Sequence, residues 1–237
     1  MPLTSMATKR IGRDILQVTS VDAEGLASQG IYYIPCEANI QLGTAMLIGR
    51  EGTPYYGGFY FFSIEFPDDY PFSPVRARSL TQDGHTRFNP NMYLDGKVCL
   101  SILNTWHDGP QWSGVQTLTS VLLAIMSDVL TAKPLQNEPA YRDYGDSAES
   151  LTYNRLLWHA NLQTAILQQL CVIPHYATPF LAIMKPEFIK RLPTLLKLCG
   201  DASVHDGTSE TCRVFRMTHK YNFVLLSQRL SELGAVE

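Results

Sequence analysis

The chain has 237 residues, of which 45% are hydrophobic and 17% are charged, and its formal net charge is −3. These values are ordinary for a folded domain with an appendage and argue against a largely disordered chain. A slightly acidic chain has no electrostatic basis for non-specific nucleic-acid binding, so we expect no nucleic-acid partner. The longest apolar run, 121–126, is too short to cross a bilayer, so we expect no membrane partner.

The N-terminal segment and the cysteines favour an intracellular protein. The segment MPLTSMATKRIGRD lacks the apolar centre of a signal peptide, so we expect a cytoplasmic location, a nuclear one, or both. No two cysteines have the C-x-x-C spacing of a zinc or redox site, so we expect no metal and no organic cofactor. We therefore expect five free thiols, at Cys36, Cys99, Cys171, Cys199 and Cys212.

The first part of the chain predicts a helix followed by a run of strands. A helix is expected over 4–17, and strands are expected over 30–34, 40–48, 58–66 and 75–80. The strand over 58–66 is the clearest, because Tyr60, Phe62 and Ile64 fall on one face and Ser63 and Glu65 on the other. Strands that follow one another in this way predict an α+β fold with an antiparallel sheet.

Residues 81–114 are irregular and rich in turn signals, including Asp83-Gly84, Asp95-Gly96 and Asp108-Gly109-Pro110. The stretch is too long to be a simple connection, and long ordered loops in compact domains are usually functional. Helical periodicity returns over 117–130 and again over 150–170.

Residues 173–237 predict a helical extension. One helix face includes Phe188 and Leu195, with a break expected at Pro193, and 201–209 is expected to be a loop. A last helix is expected where apolar residues recur every three or four positions, at Phe223, Leu226, Leu230 and Leu233. Two roles stay open for the extension: covering apolar surface of the core, or selecting an activating enzyme or a modifier.

Several motifs follow one another in an order that resembles the ubiquitin-conjugating enzyme family. They are YYGG, FYFFSIEFPDDYPFSP, FNPNMYLDGKVCLSIL, and then a tryptophan and an amphipathic helix. The resemblance covers roughly 5–170 and implies the UBC fold, an antiparallel four-stranded sheet flanked by helices. It implies a UBC core domain over 1–172, with the C-terminal helical extension over 173–237 packed on or beside it.

Three details resemble one subgroup of that family, whose chains are large or extended. They are F-N-P-N in place of the usual H-P-N, CLSIL after the cysteine, and N-E-P after the long helix. The subgroup is similar to the conjugating enzyme that also handles a second ubiquitin-like modifier.

The resemblance implies a set of catalytic residues. Cys99 would be the thioester-forming nucleophile, eight residues after Asn91. Asn91 would be the asparagine of the H-P-N motif, whose histidine is replaced by Asn89. Its amide could donate to the oxyanion, or brace the loop. Glu138 falls near the gate position beside the cysteine, where it could orient the incoming lysine.

The resemblance also implies partners: ubiquitin or a ubiquitin-like protein, a ubiquitin-activating enzyme and a ubiquitin ligase. Phe72 matches a position that docks ligases, although its default interpretation is a core residue. Trp112, Ser113 and Gly114 match the second half of that surface, which usually reads Trp-Ser-Pro, and the gap from Cys99 to Trp112 is lengthened. Ser101 stands where many members have an aspartate that helps to steer the lysine.

A thiol suits this chemistry because a thiolate attacks acyl carbons well and leaves well. No histidine lies at a diagnostic spacing from Cys99, and a weakly activated cysteine is sufficient when the incoming thioester is already activated. One alternative is a non-catalytic ubiquitin-binding module of the same fold. Another is a cysteine hydrolase that uses His85 or His107 as its base, which requires a base oriented by a third group.

Overall fold

The computed structural model describes residues 3–235; the first two residues of the predicted core and the last two of the predicted extension lie outside that range. Wider helical turns at Ile125–Val129 and Asn161–Leu167 continue the helices Leu118–Ala124 and Ala148–Ala160. The helices and strands are α1 (Ser5–Leu16), α2 (Ala23–Ser28), β1 (Ile31–Cys36), β2 (Asn39–Ile48), β3 (Phe59–Glu65), β4 (Arg76–Ser79), α3 (Leu118–Ala124), α4 (Ala148–Ala160), α5 (Gln168–Cys171), α6 (Leu181–Ala202), β5 (Ser209–Cys212), β6 (Met217–Lys220) and α7 (Phe223–Ala235).

Strands β1 to β4 form one antiparallel sheet in chain order, which confirms the predicted fold class. A two-residue turn joins β1 to β2, and such a short connection allows only antiparallel pairing. In the centre of the sheet, Ala45 pairs with Phe62 and Leu47 pairs with Tyr60. All four side chains are fully buried, so the middle of the sheet lies at the core.

Helix α1 is fixed to the core by Asp14. Thr4 caps the helix by accepting the amide of Ala7, at 3.1 Å. The buried carboxylate of Asp14 accepts the Leu118 amide at the start of α3, at 3.1 Å, and the hydroxyl of Tyr70. One carboxylate therefore joins α1, the start of α3 and the turn that precedes Phe72.

Strand β3 is buried on both faces over its first half, which differs from the predicted alternation. Tyr60 contacts the rings of Tyr55 and Phe88 on one face. On the opposite face, the ring of Phe61 lies 5.1 Å from that of Tyr176 and 5.4 Å from that of Phe180. Both partners of Phe61 belong to the extension, so its packing removes this part of the sheet from solvent.

The predicted break at Pro193 is wrong, because α6 runs without interruption through Pro186 and Pro193. Each proline removes one helical hydrogen bond, at a cost of about 3 kcal/mol in a helix interior. Both lie on the exposed side of α6. The opposite side buries a stripe that offsets this cost by packing on the core: Met184, Phe188, Leu195 and Cys199.

The extension contains helices, as predicted, but it also contains a hairpin that the sequence did not indicate. Strands β5 and β6 pair from Ser209 with Lys220 to Cys212 with Met217. The turn between them has no glycine, and Arg216 adopts the left-handed conformation that glycine or asparagine usually supplies, with φ of 53°. The residue types of the turn therefore gave no hairpin signal.

Candidate active site

The loop that contains Cys99 is built around Asn89, which is fully buried. The Asn89 side-chain amide donates to the Val129 carbonyl at 2.8 Å and to the Tyr55 hydroxyl at 3.2 Å. Its side-chain oxygen accepts the backbone amide of Asn91 at 2.8 Å and the side chain of Asn137 at 3.2 Å. Asn89 thus joins the loop to the end of α3 and to the segment before Glu138.

Asn91 and Cys99 lie side by side and exchange two hydrogen bonds. The Cys99 amide donates to the Asn91 carbonyl at 2.8 Å, and the Asn91 side-chain amide donates to the Cys99 carbonyl at 2.6 Å. The second bond is the loop-bracing role considered from the sequence. Because a side-chain amide carries two N–H groups, a second donor remains for an oxyanion.

Cys99 is only 3% exposed, and its neighbours are held from the other side by Thr105. The Thr105 hydroxyl donates to the Val98 carbonyl at 2.8 Å and accepts the Leu100 amide at 2.9 Å. Sequence reasoning missed Thr105, and it included Asn137 only as part of the N-E-P motif, without a role in the site. The only sequence signal for Thr105 is a hydroxyl residue six positions after the cysteine, which is weak by itself.

Glu138 lies half-buried between two short 3-10 turns, Pro134–Asn137 and Pro139–Tyr141. Its backbone amide donates to the Leu135 carbonyl at 3.0 Å, and its carbonyl accepts the Tyr141 amide at 2.8 Å. The adjacent Asn137 donates to both Asn89 and the Asp128 carbonyl, the latter at 2.6 Å. The backbone at Glu138 is therefore placed by the same network that holds the Cys99 loop.

The lengthened segment between Cys99 and Trp112 is ordered by its own contacts. Asn104 has a left-handed backbone, with φ of 53°, and its side-chain oxygen accepts the Trp112 amide at 2.9 Å. Further along, Asp108 forms an exposed ion pair with Arg142 at 3.2 Å. This pair connects the lengthened segment to the residues that follow Glu138.

The four residues predicted to bind partners lie close together but differ in exposure. Phe72 is 76% exposed, which excludes its default interpretation as a core residue, and Ser113 and Gly114 are also exposed. Trp112 is only 8% exposed, and its ring N–H donates to the Pro71 carbonyl at 2.8 Å. Trp112 therefore supports the loop that presents Phe72 and offers little surface of its own.

Helix α1 also supports this surface. The guanidinium of Arg10 donates to the Gly114 carbonyl at 2.7 Å and pairs with Asp14 at 2.9 Å. Gly114 is thereby tied to the same buried carboxylate that fixes the start of α3.

Neither histidine of the hydrolase hypothesis is placed as a base for Cys99. The ring of His107 lies 5.2 Å from the Trp106 ring, and the backbone amide of His85 donates to Asp83 at 2.8 Å. Within residues 3–235, no hydrogen bond links either ring to Cys99 or to a carboxylate that would orient it. The oriented base that a cysteine hydrolase requires is therefore missing from this arrangement.

No three metal-binding side chains of residues 3–235 come close enough together to hold a metal ion. No helix in that range is both long and apolar enough to cross a membrane.

Known proteins with similar sequences are named as conjugating enzymes. The chain is 35% identical over 196 residues to ubiquitin-conjugating enzyme E2 Z of Xenopus tropicalis, which covers 81% of this chain and 59% of that protein. The human E2 Z is also 35% identical, over 81% of this chain and 52% of its own length. The chain is 38% identical over 61% of its length to the human dual E2 ubiquitin-conjugating enzyme/E3 ubiquitin-protein ligase BIRC6, of which the match covers 3%.

The chain thus spans little more than half the length of these two E2 Z relatives. The model of the ubiquitin-conjugating enzyme family matches residues 13–163, well over half of the chain, including Asn91, Cys99 and the sheet. This match confirms the predicted family and fold, and nothing in these relatives favours a non-catalytic module. By its sequence and its fold, the chain belongs to the ubiquitin-conjugating enzyme family.

Proposed function

We propose that this chain accepts ubiquitin or a ubiquitin-like protein as a thioester on Cys99 and transfers it to a lysine amine. One observation carries the proposal. Of the five cysteines, Cys99 is the one bonded through its backbone to Asn91, inside the residues that match the family.

The transfer consists of two acyl exchanges. First, the Cys99 thiolate attacks the modifier's thioester on the activating enzyme, a new S–C bond forms, and the activating enzyme's thiolate leaves. Second, a lysine amine attacks the Cys99 thioester, a C–N bond forms, the S–C bond to Cys99 breaks, and the amine loses its proton to water. Each step replaces one acyl bond with another, so this chain needs no cofactor of its own.

The second step passes through a tetrahedral oxyanion, for which Asn91 is the proposed donor. One N–H of its side-chain amide holds the Cys99 carbonyl, and the other is available to the oxyanion. Glu138 is the proposed gate residue and could orient the incoming amine. Its position is supported by the bond from the adjacent Asn137 to Asn89.

We also propose that the chain belongs to the extended subgroup with F-N-P-N in place of H-P-N. Two of the relatives described above are named E2 Z, which is consistent with that subgroup. The buried bonds of Asn89 support the interpretation that an asparagine takes over the structural role of the histidine. Membership of this subgroup would allow the chain to carry either ubiquitin or a second ubiquitin-like modifier.

The proposed partners are the modifier, an activating enzyme and a ligase, with no nucleic acid or membrane, in the cytoplasm, the nucleus or both. Phe72 supports the ligase site because its aromatic side chain is 76% exposed and is therefore available to a partner. Ser113 and Gly114 would complete that surface, and Trp112 would fix its shape through Pro71.

A charging assay tests the nucleophile. The protein is incubated with activating enzyme, ubiquitin and Mg-ATP, and the products are separated on gels with and without reductant. We expect a reductant-sensitive adduct that Cys99→Ala abolishes. Cys36→Ser changes an exposed cysteine outside the site and should leave the adduct intact. Ubiquitin binding without an adduct would support the non-catalytic module instead.

A second assay tests the ligase surface with preloaded protein. We expect Phe72→Ala to reduce ligase-stimulated discharge about 30-fold, since loss of a central aromatic contact often costs about 2 kcal/mol or more. Discharge to free lysine without a ligase should not change. Val224→Ala, at an apolar side chain of α7 that is 61% exposed, is the matched control. An unchanged ligase response in Phe72→Ala would overturn the assignment.

A further inference from the structure

We propose that Thr105 is a positioning residue for Cys99, acting through the backbone on both sides of the nucleophile. The inference extends the proposed function, since it assumes that the sulfur of Cys99 carries the modifier. No motif of the family resemblance singled out Thr105.

The contacts of Thr105 enclose the cysteine. Its hydroxyl donates to the carbonyl of Val98 at 2.8 Å and accepts the amide of Leu100 at 2.9 Å. Its own backbone amide donates to the Leu100 carbonyl at 3.2 Å. The residues immediately before and after Cys99 are therefore both bound to one side chain.

Asn91 and Thr105 bind different backbone groups around Cys99. Asn91 pairs with the N–H and the C=O of Cys99, and Thr105 pairs with the preceding carbonyl and the following amide. All four backbone groups are satisfied, so rotation about the Cys99 backbone would break hydrogen bonds on both sides. Because the direction of the Cα–Cβ bond follows the backbone, these bonds also fix the Cβ atom from which the sulfur projects.

Only a hydroxyl can serve both neighbours from one atom, since it donates one hydrogen and accepts through its lone pairs. The chain returns to this position through the turn Ser101–Leu103 and the left-handed Asn104, whose side chain holds Trp112. The turn brings Thr105 close to Val98 and Leu100, and the Thr105 hydroxyl then forms the hydrogen bonds to them. A misplacement of about 1 Å at a reacting atom can cost about 100-fold in rate.

The test uses the full chain loaded with ubiquitin and measures discharge to free lysine. Thr105→Val removes the hydroxyl and keeps the size of the side chain, and we expect discharge to slow about 10- to 100-fold. Thr105→Ser keeps the hydroxyl and should restore discharge to within about 3-fold of the parent, an effect below 1 kcal/mol. In a separate charging assay, the KM for the loaded activating enzyme should not change, because Thr105 acts only on the position of Cys99. A general structural defect would alter docking and would therefore change this KM as well.

Thr53→Val is the matched control. Its hydroxyl also donates to a backbone carbonyl, that of Arg50, and accepts a backbone amide, that of Tyr55, in a loop between β2 and β3. Discharge should not change in this variant. If Thr105→Val melts below the assay temperature, Thr105→Ala is compared with Thr105→Ser, because those two differ only in the hydroxyl.

A second readout does not depend on the proposed function. Alkylation of Cys99 by iodoacetamide, followed by mass spectrometry, needs no activating enzyme, and we expect it to be several-fold faster in Thr105→Val because the buried thiol is less firmly held. Failure of the parent protein to load, with altered alkylation in the variant, would overturn the function and keep the positioning role. Parent-like discharge and alkylation in folded Thr105→Val would overturn the positioning role.

Discussion

The Cys99 loop and the β5–β6 hairpin are both attached to the rest of the molecule by side-chain hydrogen bonds, but by different kinds of side chain. Around Cys99 the bonds come from Asn89, Asn91 and Thr105, which are uncharged at every pH between 5 and 8. The hairpin is held by groups that carry charge or can gain it.

Two such contacts hold the hairpin to α4. The Arg155 guanidinium on α4 forms a two-point pair with Glu210, at 2.9 and 2.7 Å, and Tyr221 donates to the same carboxylate at 2.7 Å. The bond from Arg155 keeps the pKa of Glu210 below its usual range. The second contact joins Nδ1 of His159 and Nδ1 of His219, at 3.3 Å.

The histidine contact favours neutral rings. Burial lowers the pKa of both rings, and the nearby His159 lowers that of His219 further. His159 also bonds the Asn222 side-chain oxygen at 2.8 Å. The titratable groups outside the pair that act on it are Asp83, His85 and Asp206. We therefore expect the attachment of the hairpin to weaken in acid, whereas the hydrogen bonds that Asn89, Asn91 and Thr105 form around Cys99 involve no titrating group.

The largest effect is expected from a substitution that removes one of the uncharged side chains holding the Cys99 loop. We expect Asn91→Ala to lower the rate of lysine discharge about 100-fold, because the oxyanion donor and the bond to the Cys99 carbonyl are both lost. The measurement is single-turnover discharge of loaded protein. Asn154→Ala, which removes an asparagine bond to the Ala132 carbonyl, is the control and should discharge normally. A rate within 2-fold of the parent would remove Asn91 from the mechanism, since that is below 1 kcal/mol.

A smaller effect is expected where the hairpin loses its ion pair. Arg155→Leu should lower the free energy of unfolding by about 1–2 kcal/mol, because Glu210 loses a two-point partner at a site that is only partly exposed. Urea denaturation measures the change. Arg76→Leu breaks the more exposed pair with Glu65 and should cost less than about 1 kcal/mol. Equal losses would mean that the two pairs do not differ in strength.

The smallest effect is a dependence on pH. The folded pKa values of His159 and His219 lie below their ordinary value, so the unfolded chain takes up protons that the folded chain refuses. Stability is therefore fully present above the ordinary histidine pKa of about 6.5, and is lost as pH falls through it toward the folded values. We expect a lower Tm at pH 5.5 than at pH 7.5, measured by calorimetry.

Two variants test whether this pH dependence arises from the His159–His219 pair. His219→Gln should reduce the difference in Tm, because one of the two rings no longer titrates. His175→Gln changes an exposed histidine of the extension and should keep the parent's difference. If both variants behave like the parent, the acid sensitivity arises from other groups.

The sequence by itself predicted the parts of the protein that local patterns encode. Short apolar runs bounded by turn residues predicted the four strands, and the order of motifs predicted the family and a loop with Asn91 near Cys99. The extension was predicted to be helical, but the left-handed Arg216 hid its hairpin, and the apolar stripe of α6 overrode the break expected at Pro193.

Only the tertiary structure decided which groups meet across long separations. Asn89 and Asn137 are 48 residues apart, His159 and His219 are 60 apart, and the covering of Phe61 by Tyr176 depends on the extension. Thr105 is only six positions from Cys99, yet its role depends on the turn at Asn104 that returns the chain. Periodicity reports which face of an element is apolar, whereas these contacts depend on how the elements are arranged in space.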